Sequence, residues 1–465
     1  MADPTAFDNL PLPAATLANL QQLGYLRMTP IQAASLPLAL AGHDLIAQAK
    51  TGSGKTAAFA LALLARLDLG RFDTQALVLC PTRELADQVT QEIRRLARAE
   101  DNIKALVLCG GTPIRPQADS LAHGAHIVVG TPGRVLDHLE RGTLVLDALN
   151  TLVLDEADRM LEMGFIDAIA AVAERCPKQR QTLLFSATYP EAIEALSRRF
   201  QRNPQTVKVD AQHAAAQIRE LWYEVGEDQR LDAIARLLAH HRPLGTLAFC
   251  NTKQQCRDAV DVLRAQGYEA LALHGDLEQR ERDQVLIRFT QRSLSVLVAT
   301  DVAARGLDVV GLEAVMNIDV PTDPHTYIHR IGRTGRADAP GLALNLASLD
   351  EMGRVGHIEQ VQGRPSQWQP LDKLTVAAGG LLRAPMVTLQ LLGGRKEKIR
   401  AGDVLGALTG EAGFAATQVG KIHITDFSTY VAVERGIAQD ALQRLNAGKL
   451  KGKRVKARFL DDAVR

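Results

Sequence analysis

The stretch Ala49-Lys50-Thr51-Gly52-Ser53-Gly54-Lys55-Thr56 has the residue types needed to hold phosphate. Backbone N–H groups reach phosphate oxygens only where side chains do not intervene, and Gly52 and Gly54 supply that freedom. Lys55 carries charge toward the β- and γ-phosphates, and the Thr56 hydroxyl can ligate Mg²⁺. Ala49 stands where such loops usually begin with glycine. Alone, the stretch favours nucleotide binding over the other reading, a Gly/Ser turn ahead of the apolar helix at 57–64.

About a hundred residues later comes Asp155-Glu156-Ala157-Asp158, directly after the apolar run Leu152-Val153-Leu154. A carboxylate at the end of a buried strand, facing a phosphate loop, is well placed for a metal. Asp155 is expected to hold Mg²⁺ through water, and Glu156 to orient and deprotonate the attacking water. An acidic helix start would explain the acidity but not the strand-end position. Phosphoryl transfer also needs positive charge on the γ-phosphate, and the run from His329 to Arg336 offers Arg333 and Arg336, three apart. That run lies in the second half of the chain. A site completed from both halves would couple hydrolysis to movement.

Positioning these groups requires strands that end where the motifs begin. Short apolar runs recur at 76–80, 127–129, 152–154 and 183–185, then at 247–250, 296–299, 315–318 and 343–346. Each is followed by turn residues and a helical pattern. Strands this short and this uniformly apolar are buried on both faces, which predicts two parallel sheets covered by helices. Ligands in such folds bind at the carboxyl ends of the strands. A non-periodic stretch at 210–217 reads as a hinge, and the Pro- and Gly-bearing segment 363–385 reads as a second linker. The expected domains are therefore residues 1–209, 217–363 and 385–465.

The last of these has a different rhythm. A strand at 386–392 is followed by a helix at 402–411. Strands at 420–425 and 428–433 then flank a tight Asp426-Phe427 turn, and a helix at 437–445 and a strand at 454–460 complete the segment. The order β-α-β-β-α-β is that of the ferredoxin-like unit used by RNA-recognition domains.

The net charge of the 465 residues is +1, but residues from Ala384 onward carry 14 Lys and Arg against 8 Asp and Glu, leaving −5 for the rest. A basic tail on a mildly acidic body points to an anionic partner. The five cysteines include no C-x-x-C pair and read as core residues, so no structural metal is expected. No signal peptide is visible, and the longest apolar run, at 57–65, is far too short to span a membrane. The expectation is a soluble cytoplasmic protein without a membrane partner.

Many further motifs, in one order over roughly residues 7–350, resemble those of the DEAD-box ATP-dependent RNA helicases. The resemblance implies two RecA-like domains, ATP and Mg²⁺ as cofactors, and RNA-dependent ATP hydrolysis with local unwinding of short duplexes. Gly24-Tyr25 and Thr29-Pro30-Ile31-Gln32 resemble the adenine-reading Q motif, with Gln32 on the adenine edge, Tyr25 near its face and Phe7 the upstream aromatic. Met28 stands where many members have proline. By the same likeness, Thr51, Gly52, Ser53, Gly54, Lys55, Thr56 and Asp155 contact the nucleotide. Gly306 and Asp308 of the run Ala299–Asp308 also belong to this set, Asp308 reaching the ribose. Lys55, Glu156, Arg333 and Arg336 would be catalytic, and Asp158, Ser186, Thr188 and His329 would couple hydrolysis to unwinding. RNA would be held by Pro81, Thr82, Arg83, Gly111, Thr131, Gly133 and Arg134 in the first domain. Asn251, His274, Gly275, Arg282 and Thr300 would hold it in the second. Such contacts go mostly to phosphate and sugar and read little sequence.

Specificity then falls to the tail. Arg395, Lys396, Lys398 and Arg400 share one loop, and a second basic cluster runs from Lys449 to Arg458. A solvated charged loop is the plain alternative. The pattern is similar to the C-terminal domain of the DbpA subgroup, which implies recognition of a large-subunit (23S) ribosomal RNA hairpin and a role in ribosome assembly. Ser428 and Val433 occupy positions that usually stack bases, leaving Tyr430, so the sheet face is a poor candidate for RNA. The rival expectation is an ATP-gated RNA clamp whose tail binds protein.

Overall fold

The computed structural model describes residues 3–460 except 50–51, 190, 210–217, 305–311, 336–339, 376–380, 382, 412, 451 and 453. Thr51, Gly306, Asp308 and Arg336 therefore lie outside the described residues, as does the 210–217 hinge. The chain divides into two compact units, one built on the first sheet and one on the second sheet together with the tail.

In the first unit, β1 (Leu45–Gln48), β2 (Ala76–Leu79), β3 (Ala105–Leu108), β4 (Ile127–Gly130), β5 (Thr151–Leu154), β6 (Gln181–Ser186) and β7 (Gln205–Lys208) form one parallel sheet. Their order is β3-β4-β2-β5-β6-β1-β7. The four strands read from the sequence are its centre, where every residue is buried. The edge strands were not legible: β7 buries only Val207 of its four residues. Ala, Leu and Val on alternate strand positions feed two separate apolar layers, one on each face. This is the two-sided burial that a parallel sheet requires.

The second unit repeats the plan. β8 (Ile218–Glu224), β9 (Thr246–Cys250), β10 (Ala270–Leu273), β11 (Val296–Thr300), β12 (Ala314–Asn317), β13 (Gly341–Ala347) and β14 (Trp368–Gln369) pair in parallel, in the order β10-β11-β9-β12-β13-β8-β14. β14 lies inside the segment read as a linker, and Trp368 packs beside the buried Trp222 of β8.

The tail folds as β15 (Met386–Leu391), β16 (Val419–Ile424), β17 (Thr429–Glu434) and β18 (Ala457–Phe459), antiparallel in the order β16-β17-β15-β18. The first helix is short (Ala401–Gly406) and continues as a π turn over Ala407–Glu411; the second runs Ala438–Ala447. Leu389, Leu391, Val431 and Val433 face these helices in one apolar core.

The opposite face of the tail sheet is covered. The helix Gln279–Thr290 and the residues after it pack against it. Tyr430 joins Ile287 and Leu460 in an apolar cluster. Thr388 donates to Gln291 Oε1 (2.8 Å) and its hydroxyl lies 2.6 Å from Ser293 Oγ, while Gln291 Nε2 donates to the carbonyls of Lys421 (3.0 Å) and Tyr430 (3.2 Å). At the rim, Glu269 accepts from Arg435 (2.6 Å) and from the Ala384 backbone (2.8 Å). Buried polar groups with their partners in place fix one docking geometry.

Candidate nucleotide and RNA sites

β1 ends at the phosphate loop, and the helix Lys55–Leu64 begins immediately after it. Gly54 sits at φ +94°, and a Cβ there would lie 2.6 Å from Gln32 Nε2, so only glycine fits. The Gln32 amide is tied at both ends: Oε1 accepts from the Thr29 backbone (2.9 Å) and Nε2 donates to the Gly54 carbonyl (3.1 Å). This links the Thr29–Gln32 segment to the Gly54 loop directly. Phe7 and Tyr25 meet edge to face at 6.4 Å, and the Tyr25 hydroxyl is held by Glu92. The Lys55 ammonium is buried and donates to the Ala49 carbonyl at 2.7 Å, while Ser53 Oγ is buried with no hydrogen-bond partner.

β5 delivers Asp155 and Glu156 at its carboxyl end. Asp155 is 3% exposed and accepts from the Glu156 backbone (3.0 Å). Burial pushes its carboxyl up to about 7, against the pull of the Lys55 charge. Glu156 has φ +51°, a strained conformation for a residue with a side chain, and its carboxylate lies 3.6 Å from Arg159. A carboxylate and the Thr56 hydroxyl form an all-oxygen donor set, which suits Mg²⁺ and not a soft metal.

Asp158 reads the strand next door. Its Oδ2 accepts from the backbones of Ala187 (3.1 Å) and Thr188 (2.8 Å) and from Thr188 Oγ1 (2.9 Å), and its own N–H donates to Ser186 Oγ (3.2 Å). The carboxylate thus clamps the Ser186-Ala187-Thr188 turn to the acidic motif.

The residues of this unit expected on the RNA side cluster at the ends of β2, β3 and β4. Pro81 is buried, Thr82 caps the helix Arg83–Leu96 by accepting from Leu85 N (3.3 Å), and Arg83 pairs with Asp87. Gly111 (φ +75°) and Gly133 are exposed, and Thr131 opens the helix Pro132–Glu140. Arg134 donates through both terminal nitrogens to the Thr112 carbonyl at 3.0 Å. Beneath these loops lies a network missed in the sequence. Buried His138 contacts Thr143 Oγ1 (2.8 Å) and Gln117 Oε1 (3.2 Å), and Gln117 donates to Cys109 O and Thr112 Oγ1. Nothing in the spacing of Gln117 and His138 announced it.

In the second unit, Arg330 is the hub. It is nearly fully buried and donates to Asp301 twice at 2.7 Å, to Asn317, to the Asp319 carbonyl and to Asn251 Oδ1 (3.1 Å). Asn251 also donates to the Val320 carbonyl. One guanidinium therefore joins the strand ends that carry Asn251 and Thr300-Asp301. Arg330 lay within the quoted run, but its role as organiser was not read from it. Arg282 donates to the Ala303 carbonyl (2.6 Å), and His274 is buried beside exposed Gly275 with its Nδ1 lacking a hydrogen bond. Arg333 is buried and His329 half-buried. In the tail, Arg395, Lys396, Lys398 and Arg400 are all exposed.

Two sheets with motifs at their strand ends, the first with a phosphate loop and strand-end acids, define an NTP-driven motor of the helicase class. The DEAD/DEAH box helicase family matches residues 29–196, the helicase conserved C-terminal domain 229–338, and the DbpA RNA binding domain 388–459. The chain belongs to the DEAD-box ATP-dependent RNA helicases, in the DbpA subgroup. It is accordingly an RNA-dependent ATPase and RNA helicase. It is 53% identical to ATP-dependent RNA helicase DbpA of Escherichia coli (strain K12), over 98% of this chain and 100% of that one. DEAD-box ATP-dependent RNA helicase CshA of Geobacillus kaustophilus is 43% identical over 82% of this chain and 81% of that one. Among solved structures, S. cerevisiae Dbp5 bound to RNA and ADP BeF3 shares 31% identity with a TM-score of 0.73, covering 79% of this chain and 96% of that one. No helix among the described residues is long and apolar enough to cross a membrane.

Proposed function

We propose that the tail delivers this helicase to a hairpin of large-subunit (23S) ribosomal RNA in pre-ribosomal particles in the cytoplasm, where the core opens short neighbouring duplexes during assembly. The observation that carries the reading is the exposed basic loop with Arg395, Lys396, Lys398 and Arg400, on a tail whose sheet face is already occupied. A domain mounted this way must meet RNA through its loops and edges. It raises the local concentration of the core near its target without needing an allosteric signal.

In this reading Phe7, Tyr25 and Gln32 receive the adenine, and Gly52 to Thr56 the phosphates. Lys55 neutralises charge, and Thr56 and Asp155 hold Mg²⁺, which supplies Lewis-acid charge neutralisation when bound. Glu156 takes the proton from the attacking water, and Arg333 and Arg336 carry positive charge for the transferring phosphoryl group. Asp158, bonded to Ser186 and Thr188, passes the state of the acidic motif to the turn beside the RNA-side loops.

The test compares ATPase stimulation by a large-subunit ribosomal RNA fragment with stimulation by an unstructured homopolymer. The wild type is expected to prefer the ribosomal fragment, and the quadruple variant with Arg395, Lys396, Lys398 and Arg400 changed to Gln to lose that preference. Equal stimulation of the wild type by both RNAs would refute the targeting.

A further inference from the structure

The turn at Asp426-Phe427 holds an aromatic ring where the fold does not need one. Phe427 is 63% exposed, and turns of this kind ordinarily take small polar residues. The backbone around it is fixed. The Thr425 N–H donates to the Ser428 carbonyl (2.8 Å), and the Thr425 hydroxyl accepts from Ser428 N (3.1 Å). The basic loop is laced to the same turn: Arg395 N donates to Thr425 O (2.9 Å) and Lys396 N to Asp426 O (3.1 Å). This approach is possible because residue 394 is glycine; a Cβ there would collide with the Thr425 carbonyl. Arg395 pairs with Asp426 (3.2 Å), and the Lys396 ammonium sits over one face of the Phe427 ring, 4.3 Å from its centre.

We infer that Phe427, with Lys396 and Arg395, forms a binding site for one unpaired RNA nucleotide, the base stacking on the open ring face and its phosphate meeting the two cations. This rests on the reading of the tail as an RNA-binding domain and names the place where it touches RNA. An aromatic face with cations at its rim is the chemistry that holds unpaired bases, and every base has a π-face to offer. Stacking platforms in RNA-recognition domains usually lie on the sheet. Here the outward tyrosine, Tyr430, is 5% exposed against Ile287 and Leu460, so the sheet cannot serve. The exposed ring sits instead at the β16–β17 turn, beside the basic loop. Lys396 already stacked on one face holds the ring ready for a ligand on the other.

The experiment uses the full chain without nucleotide and two RNA probes, a hairpin-bearing large-subunit ribosomal fragment and a short unstructured oligonucleotide. Phe427→Ala is expected to weaken binding of the hairpin probe by between about fivefold and about a hundredfold, the range for losing one stacked base. Its salt dependence should be unchanged, because no phosphate contact is lost. Lys396→Ala should lower the salt slope by about one. Phe427→Trp should restore affinity, and its emission, after subtraction of the two native tryptophans, should be quenched by bound RNA. Wild-type affinity in Phe427→Ala, or unquenched emission with RNA bound, overturns the proposal and leaves a protein contact as the use of the ring. The targeting reading fails separately, through equal affinity of the wild type for the two probes; quenching by the unstructured oligonucleotide would still report a nucleotide on the ring. Thermal unfolding of each variant shows whether the fold is intact.

Discussion

Gln291 is the perturbation that best tests how the tail is mounted. Its side chain is 3% exposed and makes three hydrogen bonds across the seam: it donates to the Lys421 and Tyr430 carbonyls and accepts from the Thr388 hydroxyl. Gln291→Ala removes all three. Thr388 keeps its contact with Ser293, and Lys421 is exposed enough for water to reach that rim, so each loss is taken at about 1 kcal/mol. The sum, about 3 kcal/mol, shifts the balance toward the undocked state by on the order of a hundredfold. Ala432 reports this opening: it pairs with Thr388 on β15, lies on the outer sheet face and is fully buried. In an Ala432→Cys background the five native cysteines are all buried, so thiol labelling reads the seam. Gln291→Ala is expected to raise the labelling rate by about that factor. A labelling rate within about twofold of the parent would show that these bonds do not hold the two domains together.

Glu156→Gln should bind ATP normally and accumulate as an RNA-bound complex with hydrolysis reduced at least about a hundredfold, checked by single-turnover ATPase. Parental turnover would remove Glu156 from the role of base. Asp158→Asn replaces an acceptor that takes three hydrogen bonds from Ala187 and Thr188, and should separate ATP hydrolysis from strand release, measured as duplexes opened per ATP. A proportional fall in both would argue against coupling. Because burial raises the Asp155 carboxyl to about 7, it is increasingly protonated below that pH, and a divalent cation needs the ionised form. Mg²⁺-dependent nucleotide affinity should therefore fall by nearly tenfold per unit as pH drops well below 7, and excess Mg²⁺ should move the midpoint lower. An affinity flat from pH 8 to 5.5 would refute the assignment of Asp155 as ligand.

The central strands were legible because burial on both faces forces an unbroken apolar run, as in Leu152-Val153-Leu154. β7, with three of its four residues exposed, and the two-residue β14 carry no such signature, and both were missed. The phosphate loop and the acids were legible because their chemistry dictates residue types at fixed spacing. What escaped was long-range polar bonding. Gln117 and His138 are 21 residues apart and Gln291 and Thr388 are 97 apart, and the partner of a buried amide is set by tertiary packing, not by local pattern. The covered sheet face was half visible: its poor aromatic set argued against base stacking, but only the structure shows Ile287 and Gln291 lying on it. Phe427 was read as part of a turn, and its exposure gave it meaning.

Fastening the tail to the second lobe through Gln291, Thr388 and Glu269 makes it a measuring arm. Whatever landmark the basic loop grips is then held at a constant offset from that lobe. Sliding the landmark along a transcript by half a helical turn would carry the neighbouring duplex out of register, so this enzyme would choose its work by distance as much as by sequence.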